Sequence, residues 1–276
     1  MRQKVIYGED DRMDIYLVTD EAVKANSGSV AAIFTHDEIT ANTDGTVSLP
    51  NKTFASEFEA SGNPLCPDEP FQTQPVGAIC TAFLVGDDLE ATAGHCLNES
   101  NLHTRRFVFG YTMASAEVSN TTIPASDVYM GTEILGWQLD SSAADWALVK
   151  LDRKVINRNP LTIRTTGEVA INTGLYVLGH PVGLPQKYAS NAEVRHNEHN
   201  DFFIANLDTF GGNSGSPVFN ATTHEVEGIL VRGEVDFAPK GQCVVSLLCP
   251  VQGCRGEDCT RITLLSPFLP SLPADG

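Results

Sequence analysis

GGNSGSPVF occupies residues 211–219, and its reading decides the fold. Ser214 sits in a glycine-rich turn just ahead of a short apolar run. Glycine reaches dihedrals that other residues resist, and it lets a carbonyl group approach the main chain closely. The amides of Gly212 and Ser214 can then converge on one point, as a donor pair for a developing oxyanion. Short Gly/Ser turns are common. The run Gly-Asn-Ser-Gly-Ser-Pro entering a strand is far more restrictive.

Working outward, ATAGHC spans residues 91–96 and follows two strand-like segments. Acyl transfer needs a base that is neutral near pH 7 yet holds a proton transiently, and His95 supplies one. AADWALVKL spans residues 143–151. Asp145, placed just before an apolar strand, can be buried and still accept the imidazole N–H, which fixes the tautomer and stabilises the imidazolium. Alone, His95 reads as a structural histidine and Asp145 as a turn aspartate. The order His, Asp, Ser along one chain sets this arrangement apart from other folds that carry the same three groups.

Short runs rich in Val, Ile and Phe surround these strings, with 23 glycines and 15 prolines between them. The pattern predicts strands near 29–34, 76–86, 89–93, 106–111, 146–151, 174–179, 202–206, 216–219, 226–232 and 243–248, hence an all-β chain. No long stretch has helical periodicity, and no apolar run reaches the roughly 20 residues of a membrane span. Lys plus Arg number 18 against 35 Asp plus Glu, a formal charge of -17. Such a surface repels phosphate backbones, so nucleic acid is not an expected partner.

At this point the chain resembles the trypsin-like, chymotrypsin-fold serine peptidases, from about Val76 to Ile262. Within them it is most similar to the bacterial branch of glutamyl endopeptidases, through GGNSGSPVFN, the turn GHPVGLP (179–185) and VIYGEDDR (5–12). The resemblance implies two six-stranded antiparallel β-barrels with a cleft between them. His95, Asp145 and Ser214 would form the triad and Gly212 and Ser214 the oxyanion hole, with no cofactor and no metal. Residues 1–75 would be an N-terminal extension and long surface loop packed on the barrels, 76–276 the peptidase domain, and the C-terminal region disulfide-rich. The resemblance also implies a Cys80–Cys96 disulfide bracing His95. Asn213 stands where animal trypsins keep the aspartate that their new N-terminus neutralises, so that activation switch is not expected. Cleavage after Lys4, leaving Val5 first, is one expected processing site.

Specificity is where the residues pull apart. By the resemblance, the pocket for the residue before the scissile bond is lined by Asp208, Thr209, Leu230, Arg232 and Gly233, with Glu257 a further candidate. Leu230 replaces the histidine that helps the glutamyl branch bind a carboxylate. Asp208 falls where trypsin keeps its specificity aspartate, which favours Arg or Lys through a charge-assisted bond. Arg232 on the same wall could neutralise Asp208 or bind an acidic residue itself. Cleavage after basic residues is the expectation; acidic or small specificity, and a non-catalytic binding module, are the alternatives. Substrates would be proteins or peptides, and the protein a monomer.

Seven cysteines point to an oxidising compartment, secreted or periplasmic, with an intracellular enzyme as the alternative. Beyond Cys80 and Cys96, disulfides are expected among Cys243, Cys249, Cys254 and Cys259, with Cys66 available to join them. HNEHN (196–200) reads as a solvated loop rather than a metal site.

Overall fold

The computed structural model describes residues 6–140, 142–233 and 235–269. The expected site at Lys4–Val5 lies outside them. The chain is mostly β, and strands pair into two large antiparallel sheets.

The first sheet runs in the order Val128–Tyr129, Arg105–Phe109, Val30–Thr35, Cys80–Gly86, Leu89–Thr92, Asp145–Leu151, Gly131–Leu139. The second runs Gly174–Gly179, Pro217–Asn220, Val226–Arg232, Glu257–Arg261, Phe202–Ala205, Lys187–His196, with Met13–Asp14 added at the end. Gly174–Gly179 also pairs with Lys187–His196, so six strands of the second sheet close into a barrel. The first sheet is a curled half-barrel. Its end strands are joined through Met130, and with the closed second barrel it makes the expected chymotrypsin-like fold.

Val30–Thr35 hydrogen-bonds on one side to Cys80–Gly86 and on the other to Arg105–Phe109. Five of its six residues are buried. Residues before 76 therefore supply an inner strand of the first sheet as well as the surface excursion. That excursion carries the short helix Phe54–Ala60, capped by the Thr53 hydroxyl accepting from Ser56 N–H. Phe54 and Phe58 pack on Phe237.

One apolar cluster runs through both sheets. Ile33, Phe83 and Leu148 come from the first and Tyr176, Phe219 and Ile229 from the second. Each such side chain contributes about 1.5–3 kcal/mol relative to exposure. The shared core fixes the two sheets against each other, and so fixes the cleft between them.

Three disulfides join Cys66 to Cys243, Cys80 to Cys96, and Cys249 to Cys254. Cys259 is fully buried, and its thiol donates to the Glu257 carbonyl at 3.7 Å. The HNEHN loop is tied down by Arg261, whose guanidinium donates to the carbonyls of Asn197, His199 and Asn200. Among the described residues no helix is long and apolar enough to cross a membrane.

Candidate active site

Asp145 opens the strand Asp145–Leu151. The register Ala147↔Thr92 lays that strand beside Leu89–Thr92, which leads into the turn holding His95. His95 Nδ1 and Asp145 Oδ2 are 2.7 Å apart, and the His95 main-chain N–H donates to Asp145 Oδ1 at 3.1 Å. Asp145 is therefore held by both the ring and the main chain of the histidine. Its side chain is 3 % exposed against 36 % for His95, so the carboxylate is withdrawn while the ring faces the cleft.

Two further contacts brace the pair. Trp137 Nε1 donates to the carbonyls of Gly94 and Leu97 on either side of the histidine turn, at 2.8 and 3.1 Å. Thr260 comes from the second barrel. Its hydroxyl accepts from Asp145 N–H at 3.1 Å and donates to the Asp145 carbonyl at 3.0 Å. Neither residue is visible in the motif strings, because each reaches the His95–Asp145 pair only through the tertiary fold.

The Ser214 loop fits closely on the first sheet, beside the turn that holds His95. The Ser214 carbonyl accepts from Thr81 N–H at 2.8 Å, and Cys96 Sγ lies 3.6 Å from that oxygen. Gly215 has φ +90°, and a Cβ there would come within 2.0 Å of the Thr81 carbonyl and 2.3 Å of the Thr92 hydroxyl. Only glycine fits. The loop lies against the strand Leu89–Thr92, which ends three residues before His95.

The turn GHPVGLP buttresses the same loop. Val182 N–H donates to the Gly211 carbonyl at 2.5 Å, and Gly212, at φ +90°, packs on the His180 carbonyl. Among the described residues neither Gly212 nor Ser214 donates its amide to a main-chain acceptor. His180 itself is buried and holds the turn through Nδ1 and the Leu184 carbonyl at 3.0 Å. Burial pushes its imidazole down to about 3, so it stays neutral. Asn213 is buried and neutral, with its side-chain oxygen near the Ser216 hydroxyl at 3.5 Å.

The five pocket candidates do not converge. Leu230 packs into the second-barrel core beside Val218 and Cys259. Arg232 does not meet Asp208; it points toward Asp258 and the turn before Asp145. Asp208 lies under the N-terminal segment, accepting from Tyr7 N–H at 2.6 Å and Asp11 N–H at 3.3 Å. Thr209 and Gly233 do come together, around Glu257. The Thr209 hydroxyl donates to Glu257 Oε2 at 3.1 Å, and a Cβ on Gly233 would fall 1.8 Å from that same oxygen. Glu257 is fully buried. The strand Glu257–Arg261 was not foreseen as a strand, so the placement of its first residue could not be read from spacing.

Burial, opposed by the Tyr7 amide and reinforced by the Asp11 carboxyl, pushes Asp208 up to about 8. Asp11 in turn accepts from Ser190 N–H and the Asn191 side chain at 3.0 and 2.9 Å. The folded value of Asp208 lies above its unfolded one of 3.8. Stability from this group is thus complete below about 4 and is lost as pH rises through about 8. Amide exchange at Tyr7 and Asp11 is expected to quicken over that window in the wild type and to lose the pH step in Asp208→Asn. An unchanged step in the variant would place its origin elsewhere.

The sulfurs of Cys80 and Cys96 and a ring nitrogen of His95 lie within 4.8 Å of one another. With the sulfurs oxidised to a disulfide, no thiolate is left there to ligate a metal.

A family profile described as trypsin-like peptidase domain matches residues 80–229, more than half of the chain. Among solved structures the chain is similar to a Glu endopeptidase in complex with MPD, at 17% identity and TM-score 0.52, covering 95% of this chain and 96% of that one. It is similar to the VesB protease of Vibrio cholerae at 12% identity and TM-score 0.52, over 96% of this chain and 66% of that one. A third is the active form of the Rv3671c protease of M. tuberculosis, at 15% identity and TM-score 0.52, over 99% and 91%. At these identities the likeness speaks for the fold. No curated protein matches the chain by sequence.

Proposed function

Because the chain belongs to the trypsin-like peptidase family and is a serine endopeptidase, we propose that His95, Asp145 and Ser214 are its triad and that it cleaves after Arg or Lys. The observation that carries the first part is the doubly bonded His95–Asp145 pair, with the Ser214 loop held on the strand end beside it.

In this reading His95 takes the Ser214 hydroxyl proton as the oxygen attacks the peptide carbonyl. Asp145 stabilises the imidazolium that forms. The Gly212 and Ser214 amides receive the oxyanion. His95 then gives its proton to the leaving amine, and water hydrolyses the acyl-enzyme by the reverse sequence. No cofactor takes part.

The specificity reading rests on Glu257 rather than Asp208. Asp208 has its oxygens engaged by main-chain amides, and with its carboxyl pushed up to about 8 it is largely neutral near pH 7. Glu257 sits where Thr209 and Gly233 meet, its carboxylate packed on Gly233 where a side chain would clash, and in this reading a long cationic substrate side chain reaches it past that glycine. The surplus of acidic residues favours cationic peptides over the whole surface.

A peptide-library digest with wild type, Glu257→Gln and Asp208→Asn tests this directly. Wild type is expected to cut after Arg and Lys. Glu257→Gln should lose roughly a hundredfold or more on those substrates, as expected when a buried charge partner is removed. Asp208→Asn should retain the preference. Loss in Asp208→Asn with Glu257→Gln intact would return the role to Asp208, and cleavage after acidic residues would sink the basic reading. For location, the disulfides are consistent with a secreted or periplasmic enzyme, which is the compartment we favour.

A further inference from the structure

Four charged side chains of alternating sign run in series from the surface to His95 in the cleft. Arg255 Nη1 lies 2.6 Å from Asp258 Oδ1. Asp258 Oδ2 accepts from Arg232 Nε at 3.1 Å. Arg232 Nη1 stands 4.0 Å from Asp145 Oδ2, and that oxygen meets His95. The three inner members are 3, 9 and 3 % exposed, so solvent screens them little.

Arg232 does more than stand in this series. Its Nη1 donates to the Asp140 carbonyl at 2.9 Å and its Nη2 to the Ala143 carbonyl at 2.7 Å. Those carbonyls belong to the segment that delivers Asp145 into its strand. Arg232 ends the strand Val226–Arg232 of the second barrel, whereas Asp145 belongs to the first sheet. A single guanidinium thus fixes the aspartate segment across the cleft wall. The planar fork of arginine suits this, because its nitrogens serve several acceptors in one fixed geometry.

We infer that Arg232 is a positioning residue for Asp145 and that Asp258 keeps the guanidinium from neutralising the carboxylate it positions; this rests on the triad reading above. At 4.0 Å, Nη1 is beyond hydrogen-bond distance of Asp145 Oδ2. The Nε bond to Asp258 holds it back and supplies the compensating negative charge. Asp145 keeps its own charge for the imidazolium.

The test is steady-state kinetics of Arg232→Met, Arg232→Lys and Asp258→Asn on a peptide the wild type cleaves. Labelling of Ser214 by a fluorophosphonate and the downfield proton of the His95–Asp145 bond in NMR spectra are followed alongside. In Arg232→Met, Asp258 retains Arg255 as its partner. There kcat should fall roughly tenfold to a hundredfold, the scale of a catalytic group misplaced by about an ångström. KM should hold within about twofold, since no binding interaction shared by ground and transition states is removed. The downfield proton should shift, and Arg232→Lys should recover part of kcat. Unchanged kcat in Arg232→Met overturns the inference, and so does a raised KM with kcat intact, which would put Arg232 on the substrate. Should Arg232→Met not fold, Asp258→Asn decides: released from Asp258, the guanidinium closes on Asp145 and kcat falls, whereas unchanged kcat overturns the inference. Wild type that resists fluorophosphonate would sink the triad itself. Wild type that is labelled, with an unmoved kcat in the variants, would sink only the role of Arg232.

Discussion

Ser214→Ala is expected to lower kcat by about six orders of magnitude while the protein stays folded, and adding His95→Ala should cost almost nothing more. The hydroxyl is the atom that forms the acyl bond, and His95 acts only by moving the proton of that hydroxyl. Remove either and the other has no partner, so the two losses do not add. The slow residual hydrolysis would come from the Gly212 and Ser214 amides and from substrate binding. Near-neutral folding effects are expected as well. Ser214 makes its structural contacts through its main-chain carbonyl, on Thr81, and alanine keeps that carbonyl. Single and double variants measured on one peptide, with thermal unfolding alongside, check both statements. A double variant that loses much more than either single one would mean that the two residues act independently. The triad reading would then fail.

The second large effect is at Gly215. Gly215→Ala should destabilise the protein and inactivate it together. The dihedral of φ +90° costs a residue with a Cβ about 1–2 kcal/mol. Forcing that carbon against the Thr81 carbonyl and the Thr92 hydroxyl adds roughly 1–3 kcal/mol of overpacking. Any relief requires the loop to move off the first sheet, and Ser214 moves with it. A displacement near an ångström costs on the order of a hundredfold in rate. The expected result is a lower Tm together with a kcat reduced in the protein that remains folded, measured by titrating labelled Ser214. Full activity per folded molecule would show that the loop seats Ser214 without this contact.

Residues 211–219, 91–96 and 143–151 could be read for the proposed catalytic groups because each string carries its local geometry within itself: a glycine turn, a small-residue approach to a histidine, a carboxylate at a strand start. The partners around them are different in kind. Thr260, Trp137 and Arg232 act from distant elements, and Glu257–Arg261 is a fully buried strand that contains three charged residues. A stretch so polar reads as surface until Asp258 is seen between Arg232 and Arg255. Lys187–His196 escaped for a milder reason: its buried and part-exposed residues alternate, with few large apolar side chains to mark it. The resemblance put Asp208 in the specificity pocket, whereas the structure sets it under the N-terminal segment. What it does there depends on Tyr7 and Asp11, some two hundred residues away, and no local pattern encodes that contact.

The pairing of Ile6 with Leu248 and of Met13 with Tyr188 has a bearing on how the protein is made. Strands from Val30 to Leu151 complete the first sheet, so that half can assemble while the ribosome is still at work on the rest. Residues 6–14 cannot settle until the last quarter of the chain has emerged. Until then Tyr7 and Asp11 have no Asp208 to engage. Closing so long a loop is slow compared with local pairing. Docking of residues 6–14 is therefore expected to come late in assembly, as an added edge on a second barrel that its own six strands already close.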